Sequence, residues 1–294
     1  MNSVAILFLL LNSVLLLVLP IRLAPIPLLL GACYMTLGSA IEVGPFHFMV
    51  IRILLAVGIV RVIVRRERLA GEMNSLDWLM VIWAAWAAVS SFFHEDMSGV
   101  LVNHLGLVYN ACGIYFLLRI FCRSLDDVVV LCRITAFILV PLSIEMLFEK
   151  VSGYNFFSAL GGVSEVPEIR DGRVRAQGAF TSSILAGTVG AVMLPLMIGL
   201  WHQHRKTSIA GMTACVAIVF ASASSGPIMS AVFGIGALLM WYWRDHMRVV
   251  RWLAVFGYIG LDLIMKAPAY YLLARIDLTG SSTGWHRAVL IDTA

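Results

Sequence analysis

The sequence predicts an all-α protein, a polytopic transmembrane bundle of about ten spans with a short external loop and an external C-terminal tail. Three observations lead there. The chain of 294 residues is 61% hydrophobic and 13% charged, whereas soluble domains carry about 25% charged residues. Apolar runs near the roughly 17–25 residues that cross a bilayer recur from end to end, without the short alternating segments of a membrane barrel. Lysines and arginines gather in the connections between runs. The net charge of +4 therefore reports topology and points to no nucleic-acid partner.

The elements follow in order. Residues 4–19 form the first expected span, since 1–20 lacks the basic start and small-residue cleavage site of a signal peptide. Pro20 and Arg22 mark a tight turn into the second, 23–40, which Pro25 and Pro27 interrupt. The third, 45–64, runs into "RVIVRRER"; the fourth and fifth, 76–93 and 100–120, flank "HEDMSG". The sixth, 128–148, follows "RIFCRS". The seventh, 179–201, opens with Gly178 and carries Ala186, Gly187, Gly190 and Ala191, small residues that let another helix approach closely. The eighth, ninth and tenth are expected at 209–223, 227–243 and 249–265.

If the spans alternate, the basic connections after the third, fifth, seventh and ninth share one side, and the positive-inside bias makes it the cytoplasm. The outer side then receives the N-terminus, "HEDMSG", the loop 150–177, "SASSGP" and the tail. Residues 1–266 form a transmembrane domain, and 267–294 read as the start of an external loop. The five cysteines, Cys33, Cys112, Cys122, Cys132 and Cys215, have no CxxC spacing, so neither a metal site nor disulfides are expected.

The external loop carries a cluster that this topology leaves unexplained: Arg170, Arg173 and Arg175, beside Glu165, Glu168 and Asp171. An arginine at a helix end commonly snorkels to lipid phosphates. Here the cluster lies on the side that basic residues avoid and leads into a helix whose small residues favour burial, so a cavity is an equal reading. Charges within spans are costly and usually face a cavity or a partner. Arg52, the pair Glu145 and Glu149, and the pair Asp262 and Lys266 are such charges, with Arg52 and Glu145 at comparable depth as candidates to pair. His94 and His104 read as interfacial, and Tyr270 and Tyr271 as an aromatic belt. His202 and His204, two residues apart, do not share a helix face for a metal.

The stretch "GRVRAQGAFTSSILAGTVGAVMLPL" (172–196) resembles the O-antigen ligase and O-antigen polymerase superfamily. The likeness rests on an arginine (Arg175), a glycine and an aromatic (Gly178, Phe180), a small-residue patch (186–190) and a proline (Pro195). "SASSGPIMSA" and the tail "RIDLTGSSTGWHRAVLIDTA", with Arg287, are similar to later family segments. Thr181, Ser182 and Ser183 stand where His-Pro is frequent, and Ser225-Gly226 where Ser-Arg is usual.

The resemblance implies a glycan ligase or polymerase of the bacterial inner membrane. It would act at the outer face on an undecaprenyl-diphosphate-linked oligosaccharide, in lipopolysaccharide O-antigen or exopolysaccharide biosynthesis. No cofactor is implied. Arg175, Arg173 and Arg287 would hold the diphosphate, supported by Arg52, Glu145, Gln177 and Lys266. Arginine forks grip phosphate oxygens at two points and stabilise a leaving diphosphate without a metal. The acceptor hydroxyl needs a base, for which His286 is the candidate in the tail. The family's histidine motif and further spans are expected beyond Ala294, so this length alone is expected to lack transferase activity. Two other classes fit the composition: a transporter or flippase, which would favour broken helices and midplane charges, and a non-catalytic assembly protein.

Overall fold

A computed structural model describes residues 2–36, 38, 40–43, 46–93, 97–170, 172–265 and 291. It is mostly helical, at 79%. The order is α1 (Ser3–Val18), α2 (Pro25–Tyr34), a short ladder of β1 (Ala40–Val43) and β2 (Phe46–Met49), α3 (Val50–Arg65), α4 (Ser75–Ser90), α5 (Met97–Phe121) and α6 (Leu125–Ser152). A second ladder of β3 (Glu168–Arg170) and β4 (Arg173–Arg175) precedes α7 (Ser183–Gly199), α8 (Arg205–Ser222), α9 (Ser225–Met240) and α10 (Met247–Ile264).

Among the described residues, four helical runs are long and apolar enough to cross a membrane: Ser75–Phe93, Met97–Phe121, Leu125–Ser152 and Ser225–Ile264. Ser3–Val18, Ile21–Tyr34 and Ser183–Gly199 are apolar but shorter. The chain is thus a helical protein with several candidate membrane spans; four described runs reach the length and composition of a span, where ten were expected. Part of the shortfall is charge, because α3 carries Arg52, Arg61 and Arg65 within 16 residues.

Three local features depart from the expected pattern. The second helix stops at Tyr34 and the third starts at Val50, with an antiparallel ladder pairing Ala40 with Met49 and Val43 with Phe46 between them. The β-branched and aromatic residues of "AIEVGPFHFM" (40–49), parted by Gly44-Pro45 in sequence, suit strands better than a helix start. In the long loop, Glu168 pairs with Arg175 and Arg170 with Arg173. Finally, α9 passes into α10 through a 3-10 segment, Trp241–His246, instead of a loop.

Two apolar clusters fill the bundle. One joins α1, α2, α3 and α5 through Leu16, Leu28, Leu54, Leu55 and Phe121. The other joins α6, α7 and α8 through Leu139, Met146, Met197 and Ile218, with Ala231 of α9 at its edge. Small residues allow the second to close, as the sequence suggested. A Cβ on Gly190 would lie 2.8 Å from Cys215 O, and one on Gly187 2.4 Å from Ser222 Oγ.

The connections segregate to the two ends of the bundle. At the basic end, fully buried Arg61 donates to Leu16 O and to Leu19 O at 2.8 Å, and pairs with Glu67 at 2.9 Å. Arg119 pairs with Asp77 at 3.1 Å, Asp77 also takes the Tyr115 hydroxyl at 2.7 Å, and Arg22 pairs with Asp127. Asn74 with Asp77 and Ser124 with Asp127 form reciprocal caps that start α4 and α6. At the other end, Asn2 Nδ2 donates to Ala159 O at 2.7 Å and Thr36 Oγ1 to Gly161 O at 2.6 Å, so the long loop is tied to α1 and α2.

Candidate functional site

The segment from Gly172 to Phe180 is clamped between the last turns of α6 and α8. Gly172, at φ 72°, makes the turn that folds β3 onto β4. Past β4, the amide of Ala176 donates to Ala221 O at 3.1 Å, where α8 ends and Ala223 takes a left-handed conformation. The chain then crosses Glu149, which is fully buried in the last turns of α6. Glu149 accepts the Gln177 amide at 3.1 Å and the Gly178 amide at 2.8 Å.

Gly178 is required twice over. Its φ is 57°, and a Cβ there would meet Met146, Glu145 and Leu142 at 3.3–3.5 Å. Its carbonyl accepts a hydrogen bond from Asn155 Nδ2 at 2.9 Å, and Asn155 is itself fully buried. Buried polar groups are stable only when hydrogen-bonded, and Glu149 and Asn155 satisfy the turn before α7. Ser182 then caps α7 by accepting the Leu185 amide at 3.3 Å.

Beside this clamp lies a cleft of about 520 Å³ lined by Lys150, Gly172, Arg173, Val174, Phe220, Ala223 and Ile228. The Lys150 ammonium donates to Val174 O at 3.0 Å and Ala221 O at 3.5 Å, and sits 5.2 Å from the centre of the Phe220 ring. Arg173 stands close enough to bear on it electrostatically. The described lining thus supplies two cations on an apolar floor. Backbone carbonyls and a ring face fix the lysine without neutralising it.

Arg175 lies behind the cleft, 7% exposed. Its Nη1 donates to Glu168 Oε2 at 3.1 Å across the ladder, and its Nε is buried without a hydrogen-bond partner among the described residues. Glu145 Oε1 accepts the Phe156 amide at 3.3 Å, while Oε2 is buried without a hydrogen-bond partner among the described residues. Gln177 contributes its backbone, donating to Glu149 and accepting from the Phe180 amide at 3.1 Å. The structure therefore gathers Arg173, Arg175, Glu145 and Gln177 around the last turns of α6.

Arg52 is placed elsewhere. Its Nε donates to Asn110 Oδ1 at 3.3 Å, and its guanidinium lies over Gly106 at the wall of a separate cavity of about 980 Å³ between α3 and α5. Arg52 and Glu145, weighed as partners in the sequence, have different surroundings. His104 Nδ1 is hydrogen-bonded to Ser91 Oγ at 2.8 Å between α4 and α5. His94, Lys266, Tyr270, Tyr271, His286 and Arg287 lie outside the described residues. Among the described residues, no group of three or more His, Cys, Asp or Glu side chains is arranged to hold a metal ion.

Sequence reasoning missed Lys150, Asn155, Phe220 and Ala223 as parts of this site. Their roles depend on α6 and α8 ending at the same level, which no local pattern reports. Comparison of the chain with protein-family models, with curated proteins and with solved structures gave no match.

Proposed function

We propose that the chain belongs to a membrane glycan ligase or polymerase of the O-antigen type. Its substrate is an oligosaccharide carried on undecaprenyl diphosphate at the outer face of the bacterial inner membrane. The cleft at the ends of α6 and α8 takes the donor's diphosphate. One observation carries this reading: Lys150 and Arg173 line a single cleft on an apolar floor, at the end of the bundle opposite the basic connections. A polyprenyl diphosphate presents an anion of matching charge at the membrane edge, on an apolar stem.

Within this reading the two arginines divide the work. Arg173, on the cleft wall, contacts phosphate oxygens together with Lys150. Arg175, held by Glu168, sets the shape of the ladder and adds its field from behind. Positive groups fixed before the reaction stabilise charge as it develops on the leaving diphosphate. The acceptor hydroxyl also gives up its proton to a base.

The test is binding of a short-chain polyprenyl diphosphate to the chain in nanodiscs, with the matching polyprenol as control. Charge-assisted contacts are worth about 1.5–3 kcal/mol. Lys150→Gln and Arg173→Gln are therefore each expected to weaken diphosphate binding roughly 10- to 150-fold and to leave polyprenol binding unchanged. Unaltered diphosphate affinity in both variants overturns the assignment.

A further inference from the structure

The geometry points to α10 as an amphipathic helix lying in the anionic headgroup layer at the basic end of the bundle, instead of a tenth membrane span.

Length comes first. The run Ser225–Ile264 has 40 residues with no loop in it. At 1.5 Å per residue that is about 60 Å, against about 30 Å of hydrocarbon. Starting beside the cleft end, the 16 residues of α9 and the first three of the 3-10 segment, to Trp243, together span about 30 Å and cross that thickness. Trp243, at φ −103° and ψ 17°, departs from helical geometry inside the 3-10 segment, so the axis bends where the chain would leave the bilayer.

Composition comes next. Arg251 and Asp262 bracket only ten uncharged residues, 252–261. A span needs roughly 17–25, and an apolar stretch of roughly 10–14 belongs to a core helix or an interfacial one. A core helix is excluded, because no residue of α10 is buried.

The helix has two unlike sides. Arg248, Arg251, Tyr258 and Asp262 recur at spacings of three, seven and four, which sets them along one side. Val249, Val250, Leu253, Phe256, Leu261 and Ile264 cover the opposite side, with Val255 on the polar one and Ile259 at its margin. At its start Trp241, Tyr242 and Trp243 are exposed together with Arg244, Arg248 and Arg251. Arg244 meets Asp245 only in an exposed pair at 4.0 Å. Exposed arginines beside Trp and Tyr match a headgroup layer, where phosphates meet the arginines and rings sit at the boundary. Lying there buries the apolar side about 5–10 Å deep and keeps the polar side wet. Residue 265 then emerges on the same side as the other basic connections.

The test uses the full chain in vesicles containing phosphatidylglycerol. Nitroxide labels are placed singly at 249, 253, 256, 260 and 263 in a background without native cysteines. These positions share the apolar side, so the expected depths stay within a band of about 10 Å with no trend along the sequence. Depths that change steadily by about 1.5 Å per residue make α10 a span and overturn the inference. Labels shielded from both lipid and water, as under a second protein, also overturn it. In phosphatidylcholine vesicles the labels at 249 and 253 are expected to move toward water; equal depth in both lipids removes the anionic headgroup from the account. A second measurement needs no cysteine change. A C-terminal epitope on the wild-type chain should be reachable from the membrane face on which trypsin cuts at Arg65–Arg68 (65–68). Protection of the epitope in that orientation contradicts the inference.

Discussion

Glu149→Gln isolates the role of the carboxylate that holds the turn into α7. The substitution keeps the size of the side chain and removes its charge. Glu149 accepts the Gln177 amide at 3.1 Å and the Gly178 amide at 2.8 Å with no solvent exposure. Glu149 Oε2 meets both amides and Oε1 the Gln177 amide alone, so a glutamine loses the charge on every contact and sets its NH₂ group against the Gln177 N–H. A hydrogen bond to a charged group is worth about 1.5–3 kcal/mol, and an orphaned buried donor costs a similar amount. At about 1.4 kcal/mol per factor of ten, the local opening equilibrium should rise roughly 10- to 150-fold. Hydrogen exchange read by mass spectrometry on the peptide spanning 173–180 measures it directly. Peptides from α1 and α3, in the other apolar cluster, serve as controls and should exchange at the wild-type rate. Equal protection of 173–180 in wild type and Glu149→Gln would refute the reasoning, because the clamp would then be held by something other than Glu149.

Three further outcomes are expected. Gly178→Ala forces a side chain onto a residue at φ 57° facing Met146 and Glu145, and should cost about 1–3 kcal/mol, seen as a lower melting temperature in detergent. Gly187→Ala places a Cβ 2.4 Å from Ser222 Oγ and 2.6 Å from Pro227; it should loosen α7 from α8 and α9 and raise cross-linker access to that seam, whereas Gly199→Ala, with open space around it, should behave as wild type. Arg61→Met strands Glu67 and two backbone carbonyls and should cost about 3–5 kcal/mol. Melting of the double variant Arg61→Met, Glu67→Met should recover part of that loss.

The helices were legible because their runs of apolar residues are long, and a basic or glycine-rich connection separates most of them. α6 began and ended within a turn or so of expectation, since Ser124 with Asp127 caps it and Gly153 stops it. The ladder at 40–49 was hidden because Ile41, Val43, Phe46 and Phe48 are apolar and continue the runs on either side, and over so short a length periodicity does not separate strand from helix. Arg61 was read as part of a basic connection. Its burial against the carbonyls that end α1 depends on α1 and α3 lying side by side.

The candidate site divides the same way. Arg173 and Arg175 stood out because basic residues are not expected on that side of a membrane. Which of them faces the cleft was not readable, since it follows from a register that sets Arg175 against Glu168 and Arg170 against Arg173. Lys150 looked like the first residue of a loop. It is the second cation of the cleft because α8 ends opposite it and supplies both Ala221 O and the Phe220 ring. Such roles come from packing between segments some 70 residues apart, and local sequence carries no trace of them.

The central claim is that a lipid-linked diphosphate sits between α6, the β3–β4 ladder and α8. Photo-cross-linking places it most directly, using a polyprenyl diphosphate with a photoreactive group on the first isoprene unit and peptide mapping of the adducts. The account expects adducts at 150, 172–174 and 220–228, displaced by unlabelled polyprenyl diphosphate and lost in Lys150→Gln, Arg173→Gln. Adducts confined to the lipid-facing sides of α4 and α5, or adducts at the cleft that excess diphosphate does not displace, would contradict it.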